Sequence, residues 1–180
     1  YALWLETHFK WFGAAALAVL LIIASPVASL RLGFSDDSGK AETNAGRIAY
    51  DLISEGFGPG INGPFIIAIE TATAGDVASV QKFAGAISVA DGVAAAIPFP
   101  MSPDSKLTAM SVIPDSAPQD QATTDLLNSL RDDVIPAATE DGALKAYVGG
   151  TQAITSDFTS VLVDALPLFL LVVVGLGFLT

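Results

Sequence analysis

No cysteine occurs anywhere in the 180 residues. That excludes disulfides and thiolate metal sites and leaves the redox compartment open. A single histidine, His8, is present. With no histidine or cysteine to partner it, a histidine–cysteine zinc site is excluded, and a Ser-His-Asp triad has nothing to build on. Its place just ahead of an apolar run reads as that of a membrane-surface residue. Basic residues are scarce too: eight Lys and Arg stand against nineteen Asp and Glu, a net charge of −11. Nucleic acid is therefore not an expected partner, because binding it requires a basic surface. The acidic stretch "SDDSGKAE", residues 35 to 42, lacks the alternating acids and closing glutamate of a calcium loop. It reads as a solvated linker running into a helix start. No metal or cofactor site is expected from these residues.

Apolar residues, by contrast, are plentiful. They make up 52% of the chain and give it a mean hydropathy of +0.57, and they gather at its two ends. From Trp11 to Leu30, "WFGAAALAVLLIIASPVASL" runs without a charge, about the length that crosses a hydrocarbon core. Lys10 and Arg31 flank it, with Trp4 and Trp11 placed like interfacial aromatics. A cleaved signal peptide would have a shorter apolar region behind a basic start. The reading is a cytoplasmic flank at 1–10 and a retained transmembrane helix at 11–31. The second run, "ALPLFLLVVVGLGFLT" at 165–180, is as apolar and has no basic anchor after it. The expectation is an excerpt of a longer chain, ending inside its second span.

Between the runs, residues 32 to 157 hold seventeen acidic and six basic residues, which is the whole net charge. The expected organisation is a linker, amphipathic helix and Gly/Pro joint at 32–63, a mixed domain at 64–150, and a helix at 151–180 continuing into the second span. Ile48, Leu52, Ile53 and Phe57 recur at helical spacing, with Thr43 as candidate N-cap. "PFIIAIE" reads as a strand. A helix capped near Asp76 follows, with Val77, Val80, Phe83, Ala84 and Ile87 on one face and Gly92 stopping it. "VAAAIPF" and "LTAMSVIP" read as the next two strands. A helix from about Gln119 to Val134 turns Leu126, Leu127, Leu130 and Val134 inward, and Pro136 follows it. "LKAYVGG" is the last strand. The order β-α-β-β-α-β predicts an α+β, ferredoxin-like domain: a four-stranded antiparallel sheet with two helices on one face.

Two places invite a functional reading. Gly58, Gly60 and Gly63 spell G-x-G-x-x-G, but a helix precedes them and a strand follows. That is the reverse of a nucleotide-binding turn, and Pro59 and Pro64 remove two N–H donors. The stretch Gly58, Pro59, Gly60, Asn62, Gly63 and Pro64 is instead expected to be a structural joint. Gly58 closes the helix, Gly60 and Gly63 permit positive φ, and the prolines stiffen the path. Phe57 and Phe65 flank the joint as core residues or as part of a substrate path. The second place is "TQAITSDFTSVLVDALPLF", where Asp157 and Asp164 lie seven residues apart and so share a helix face. They read as hydrated acids above the hydrocarbon or as a cavity mouth. The helix is expected to continue unbroken past Pro167, kinked near Val163 to Pro167 as a hinge.

At "RLGFSDD", "AYDLISEGFGPGINGPF" and "LPLFLLVVVGLGFL" the chain resembles the MMPL (mycobacterial membrane protein large) transporters of the resistance-nodulation-division superfamily. The resemblance covers nearly the whole chain, and its most specific part is FGPG-x-NGP, Phe57 to Pro64. It implies the second half of such a transporter: the seventh span, the second extracytoplasmic porter domain and the start of the eighth span. Export of lipids, hydrophobic metabolites or drugs, driven by the proton gradient, would be the function, which implies a domain that is not an enzyme. The proton relay would lie in spans outside this stretch. Implied partners are the bilayer, the remaining spans and first porter domain, a lipid-like substrate and a second copy in a homo-oligomer. The implied location is the cell membrane, multi-pass, with residues 32–157 extracytoplasmic. The competing reading is a membrane-anchored extracytoplasmic binding or assembly module without transport.

Overall fold

A computed structural model describes residues 9–26 and 36–179, which fall in two units divided after Leu32. In the first unit, α1 (Phe9–Ala24) takes up most of the first apolar run. Its side chains from Trp11 to Ile23 stand largely exposed. The far end of the expected span, 27–31, lies outside the described residues, as do His8 and Trp4.

The second unit is built on a four-stranded sheet of β1 (Phe65–Thr71), β2 (Val93–Pro98), β3 (Leu107–Pro114) and β4 (Leu144–Gly149). The strand order is β2-β3-β1-β4 and every pairing is antiparallel. This is the ferredoxin-like arrangement. Strict alternation along "FIIAIET" buries Phe65, Ile67, Ile69 and Thr71 and leaves Ile66, Ala68 and Glu70 on the other face, as a half-covered strand requires. Helix α3 (Val77–Ser88) lays Val80, Phe83, Ala84 and Ile87 on the covered face. Asp76 caps it, accepting the Ser79 N–H at 3.0 Å. Helix α4 (Gln121–Ser129) adds Leu126 and Leu127. One continuous core results, centred on Phe65, Phe83, Ile67, Met110, Val112 and Leu130. Each such side chain contributes about 1.5–3 kcal/mol through burial.

Two expected boundaries move. The cap of the helix before the joint is Asn44, whose side chain accepts the Gly46 N–H at 2.9 Å, not Thr43. The long helix does not stop ahead of Pro136. It passes from α4 through a π turn (Leu130–Val134) into α5 (Ile135–Ala138), with Pro136 in its opening turn. At a helix start the proline's missing N–H leaves no bond unmade, and the wider turn supplies such a start inside a continuing helix.

Helix α2 (Ala45–Phe57) has the amphipathic pattern expected of it but buries none of its residues. Ile48, Leu52, Ile53 and Phe57 are all exposed. The last helix, α6 (Thr151–Leu179), is continuous through Pro167. Its stretch Thr151–Gly177 is long and apolar enough to cross a membrane.

Candidate functional site

The joint and the root of α6 meet at one end of the sheet, since Ile66 near the start of β1 pairs with Gly149 at the end of β4. Gly58 ends α2 at φ +93°, its N–H donating to the Ser54 carbonyl at 3.0 Å. A side chain there would be strained by backbone conformation alone. Pro59 then opens a 3-10 turn, Pro59–Asn62. Asn62 ties that turn back to α2, its Nδ2 donating to Ser54 Oγ at 2.7 Å and the Tyr50 carbonyl at 3.2 Å.

The other two glycines correct the expectation. Neither Gly60 nor Gly63 has positive φ; Gly63 lies at −151°. Their role is close approach. A Cβ on Gly60 would overlap the Pro114 carbonyl oxygen at the end of β3, and one on Gly63 would come within 2.5 Å of Pro118 Cγ. Pro114 and Pro118 are thus the surface against which the joint is seated. Pro64 leads straight into β1, where Phe65 is fully buried. Phe57, ahead of the joint, is 78% exposed, so it is not a core residue.

Beside the joint a cavity of about 350 Å³ is lined by Asp36, Asp37, Gly46, Ala49, Tyr50, Ile53 and Asn62. Asp36 caps the 3-10 turn Asp37–Gly39 through the Ser38 N–H at 2.9 Å. Partial burial, and then the nearby Asp36 carboxylate, push the Tyr50 phenol up from its ordinary value. A phenol kept neutral beside carboxylates makes this a polar pocket.

The root of α6 is keyed into the domain. Ala153 and Thr155 are buried. Two turns in, Arg131 from the π turn grips Asp157 with both arms, at 2.5 and 2.9 Å, and its Nη2 also donates to the Val148 carbonyl at 3.3 Å. Such fork-to-carboxylate geometry fixes orientation as well as charge. The Asp157 carboxylate anchors the helix root, a contact that neither sequence reading of it named. Asp164, two turns further, has no such partner among the described residues. Arg131 escaped sequence reasoning because 26 residues separate it from Asp157, and no local spacing rule connects such a pair.

A shallow cleft of about 290 Å³ runs along β4 beneath Arg131, Ile135, Ala146, Tyr147 and Val148. An acidic cleft of about 380 Å³ is edged by Asp91, Asp115 and Asp125. Among the described residues no group of three His, Cys, Asp or Glu is placed to hold a metal ion.

Comparison with known proteins finds a relative among membrane proteins. The chain is 31% identical over 166 residues to membrane protein YdfJ of Bacillus subtilis (strain 168). The match covers 91% of this chain but only 22% of the relative, so the chain spans about a fifth of that protein's length. No family model matches the chain. The relative's name and the span-length α6 point the same way, to a membrane protein.

Proposed function

We propose that this chain is the extracytoplasmic porter domain, with its anchoring spans, of a multi-pass membrane transporter of the MMPL type. The whole protein would export lipids, hydrophobic metabolites or drugs at the expense of the proton gradient. The observation that carries the reading is the direct joining of a ferredoxin-like domain to a span-length helix, with no linker between β4 and α6. A domain carried this way moves with its helix, as a porter domain coupled to membrane spans must. The similarity to a membrane protein several times longer agrees with it, because the remaining length would supply the other spans. The FGPG-x-NGP joint, Phe57 to Pro64, adds support, since two of its glycines, Gly60 and Gly63, seat the chain against Pro114 and Pro118.

In this reading the domain catalyses nothing. It offers apolar surface to a hydrophobic cargo, and Phe57, exposed at the joint, is the aromatic side chain best placed to touch it. The test is deletion of the complete gene, followed by lipid and metabolite profiling of cells and medium. Intracellular accumulation of a hydrophobic species, reversed by the wild-type gene and not in the presence of a protonophore, is the expected result. Unchanged profiles, together with a full-length gene encoding only two spans, would leave the anchored-module reading in its place.

A further inference from the structure

The core takes up one face of the sheet. Helices α3 and α4 lie on that face, and the root of α6 joins it through Ala153. The other face leaves Ile66, Ile97, Phe99, Leu107 and Tyr147 exposed. Strand register arranges this face in rungs, because residues paired across an antiparallel ladder point the same way. Tyr147, Ala68 and Ala109 form one rung, extended by Phe99, whose N–H donates to the Ala109 carbonyl at 2.8 Å. Gly149, Ile66, Ser111 and Ile97 form the next. Glu70 and Lys145 pair at the end away from α6. Four strands about 4.8 Å apart and some 20 Å long make a plane of roughly 400 Å². An exposed apolar patch of that size marks an interaction surface.

We propose that two copies of the chain meet on this face, sheet against sheet, about a two-fold axis parallel to the strands. Helix α6 starts at the Gly149 end of the sheet. Of the two-fold axes that bring these faces together, the one along the strands keeps both α6 roots at one end, facing one membrane. Rotation about it reverses the strand order β2-β3-β1-β4, so β4 lies over β2 of the second copy and β1 over β3. Each rung then meets its own counterpart, and the face fits itself. Gly149 receives Ile97 of the second copy, and Ser111 receives Ile66. Ala68 meets Ala109, and Tyr147 meets Phe99 as an aromatic pair at each side. Glu70 and Lys145 fall toward the far end, where charge stays in water as at the rim of an interface. Two faces of this area lie at the low end for a stable dimer. Anchoring both copies in one membrane raises their effective concentration and offsets that. The inference rests on α6 spanning a membrane and not on transport, so either reading can fail while the other stands.

The test is cross-linking of two differently tagged copies of the full-length protein, coexpressed in native membranes with any other cysteine replaced. One copy carries Phe99→Cys and the other Tyr147→Cys. Within a single sheet these positions lie on opposite edge strands; in the proposed dimer they face each other. A short bis-methanethiosulfonate linker is used, since facing sheets lie about 10 Å apart, beyond the reach of a direct disulfide. The crossing of packed sheets, about 30°, shifts the outer strands by about one residue, which the linker tolerates. The expected result is a doubly tagged product about tenfold more abundant than in membranes where both copies carry Phe99→Cys, or both Tyr147→Cys. Equal or greater yields from the same-position pairs would mean random collision and overturn the proposal. Absence of product with both cysteines open to a monofunctional reagent would mean a bare face and overturn it too. Absence of product with both cysteines closed would mean that another part of the protein, or another protein, covers the face, which equally overturns it. Should Phe99→Cys or Tyr147→Cys not accumulate, Ile97→Cys or Lys145→Cys, exposed on the same face and strand, replaces it and the same comparison decides.

Discussion

At the scale of single residues the joint separates two uses of glycine that sequence alone runs together. Gly58 is needed for its φ of +93°, and Gly60 for the space its missing Cβ leaves to the Pro114 carbonyl. Because that neighbour is backbone, it cannot swing aside. Gly60→Ala is expected to destabilise the domain by about 1–3 kcal/mol, the usual cost of overpacking. Gly56, one turn back in α2, has open space around its Cβ position. Gly56→Ala should stabilise α2 by about 0.5–1 kcal/mol through helix propensity. Denaturant melts of the two variants in detergent check the pair, and equal effects would dismiss the close-approach account. In the core, Phe83 is 1% exposed among α3, β1 and β3 side chains. Phe83→Ala should cost about 3–5 kcal/mol.

Individual elements are held by a few polar contacts whose pH dependence has a definite sign. The Ser79 backbone N–H and then its hydroxyl hold the Asp76 carboxyl at the α3 cap below its ordinary value. The Lys82 ammonium, at 2.7 Å, does the same to Asp141, and Asp141 raises Lys82 in return. Depressed carboxylates contribute fully above the unfolded value of about 4 and lose their contribution as pH falls through the lower folded value. The raised lysine contributes fully below about 10 and loses its part as pH climbs through its folded value. Thermal midpoints should therefore be flat near neutrality and fall at both extremes. Asp76→Asn should shallow the acid limb alone, and an unchanged acid limb in that variant would contradict the capping account. Added salt should weaken the exposed Lys82–Asp141 pair.

The root of α6 depends on another contact, Arg131 to Asp157. Arg131→Gln should raise amide exchange near residues 154–158 while leaving β1 and β3 protected. The cost is about 1 kcal/mol or less for so exposed a pair. Arg131→Lys should not restore protection, because an ammonium cannot span both carboxylate oxygens and the Val148 carbonyl. Restoration by lysine would show that charge alone holds the helix.

For the whole molecule, the decisive relation is between the sheet and α6. The chain reaches β1 through the joint and leaves β4 for α6 at the same end of the sheet. Any force carried by α6 therefore reaches the strand that the joint locks to Pro114. If residues 32–157 are extracytoplasmic, as proposed, protease added to intact cells should cut the acidic domain, and cells must be opened before it can cut at the other face. Protection of the domain in intact cells would reverse the topology.

The sequence by itself determined the elements and their order. Period-two alternation in "FIIAIET" and the 3.6-residue spacing of Val80, Phe83, Ala84 and Ile87 are local consequences of backbone geometry, so strands, helices and the ferredoxin-like order were legible. The helix stop at Gly58 was legible for the same reason. Only the tertiary structure decided which neighbours those elements meet. It left the amphipathic face of α2 uncovered and seated Gly60 and Gly63 against prolines more than fifty residues away. It carried a helix past Pro136 by a π turn and brought Arg131 to Asp157. Steric overlap and ion pairing act over a few ångströms between residues far apart in the chain, and a spacing rule written along the chain carries no record of them.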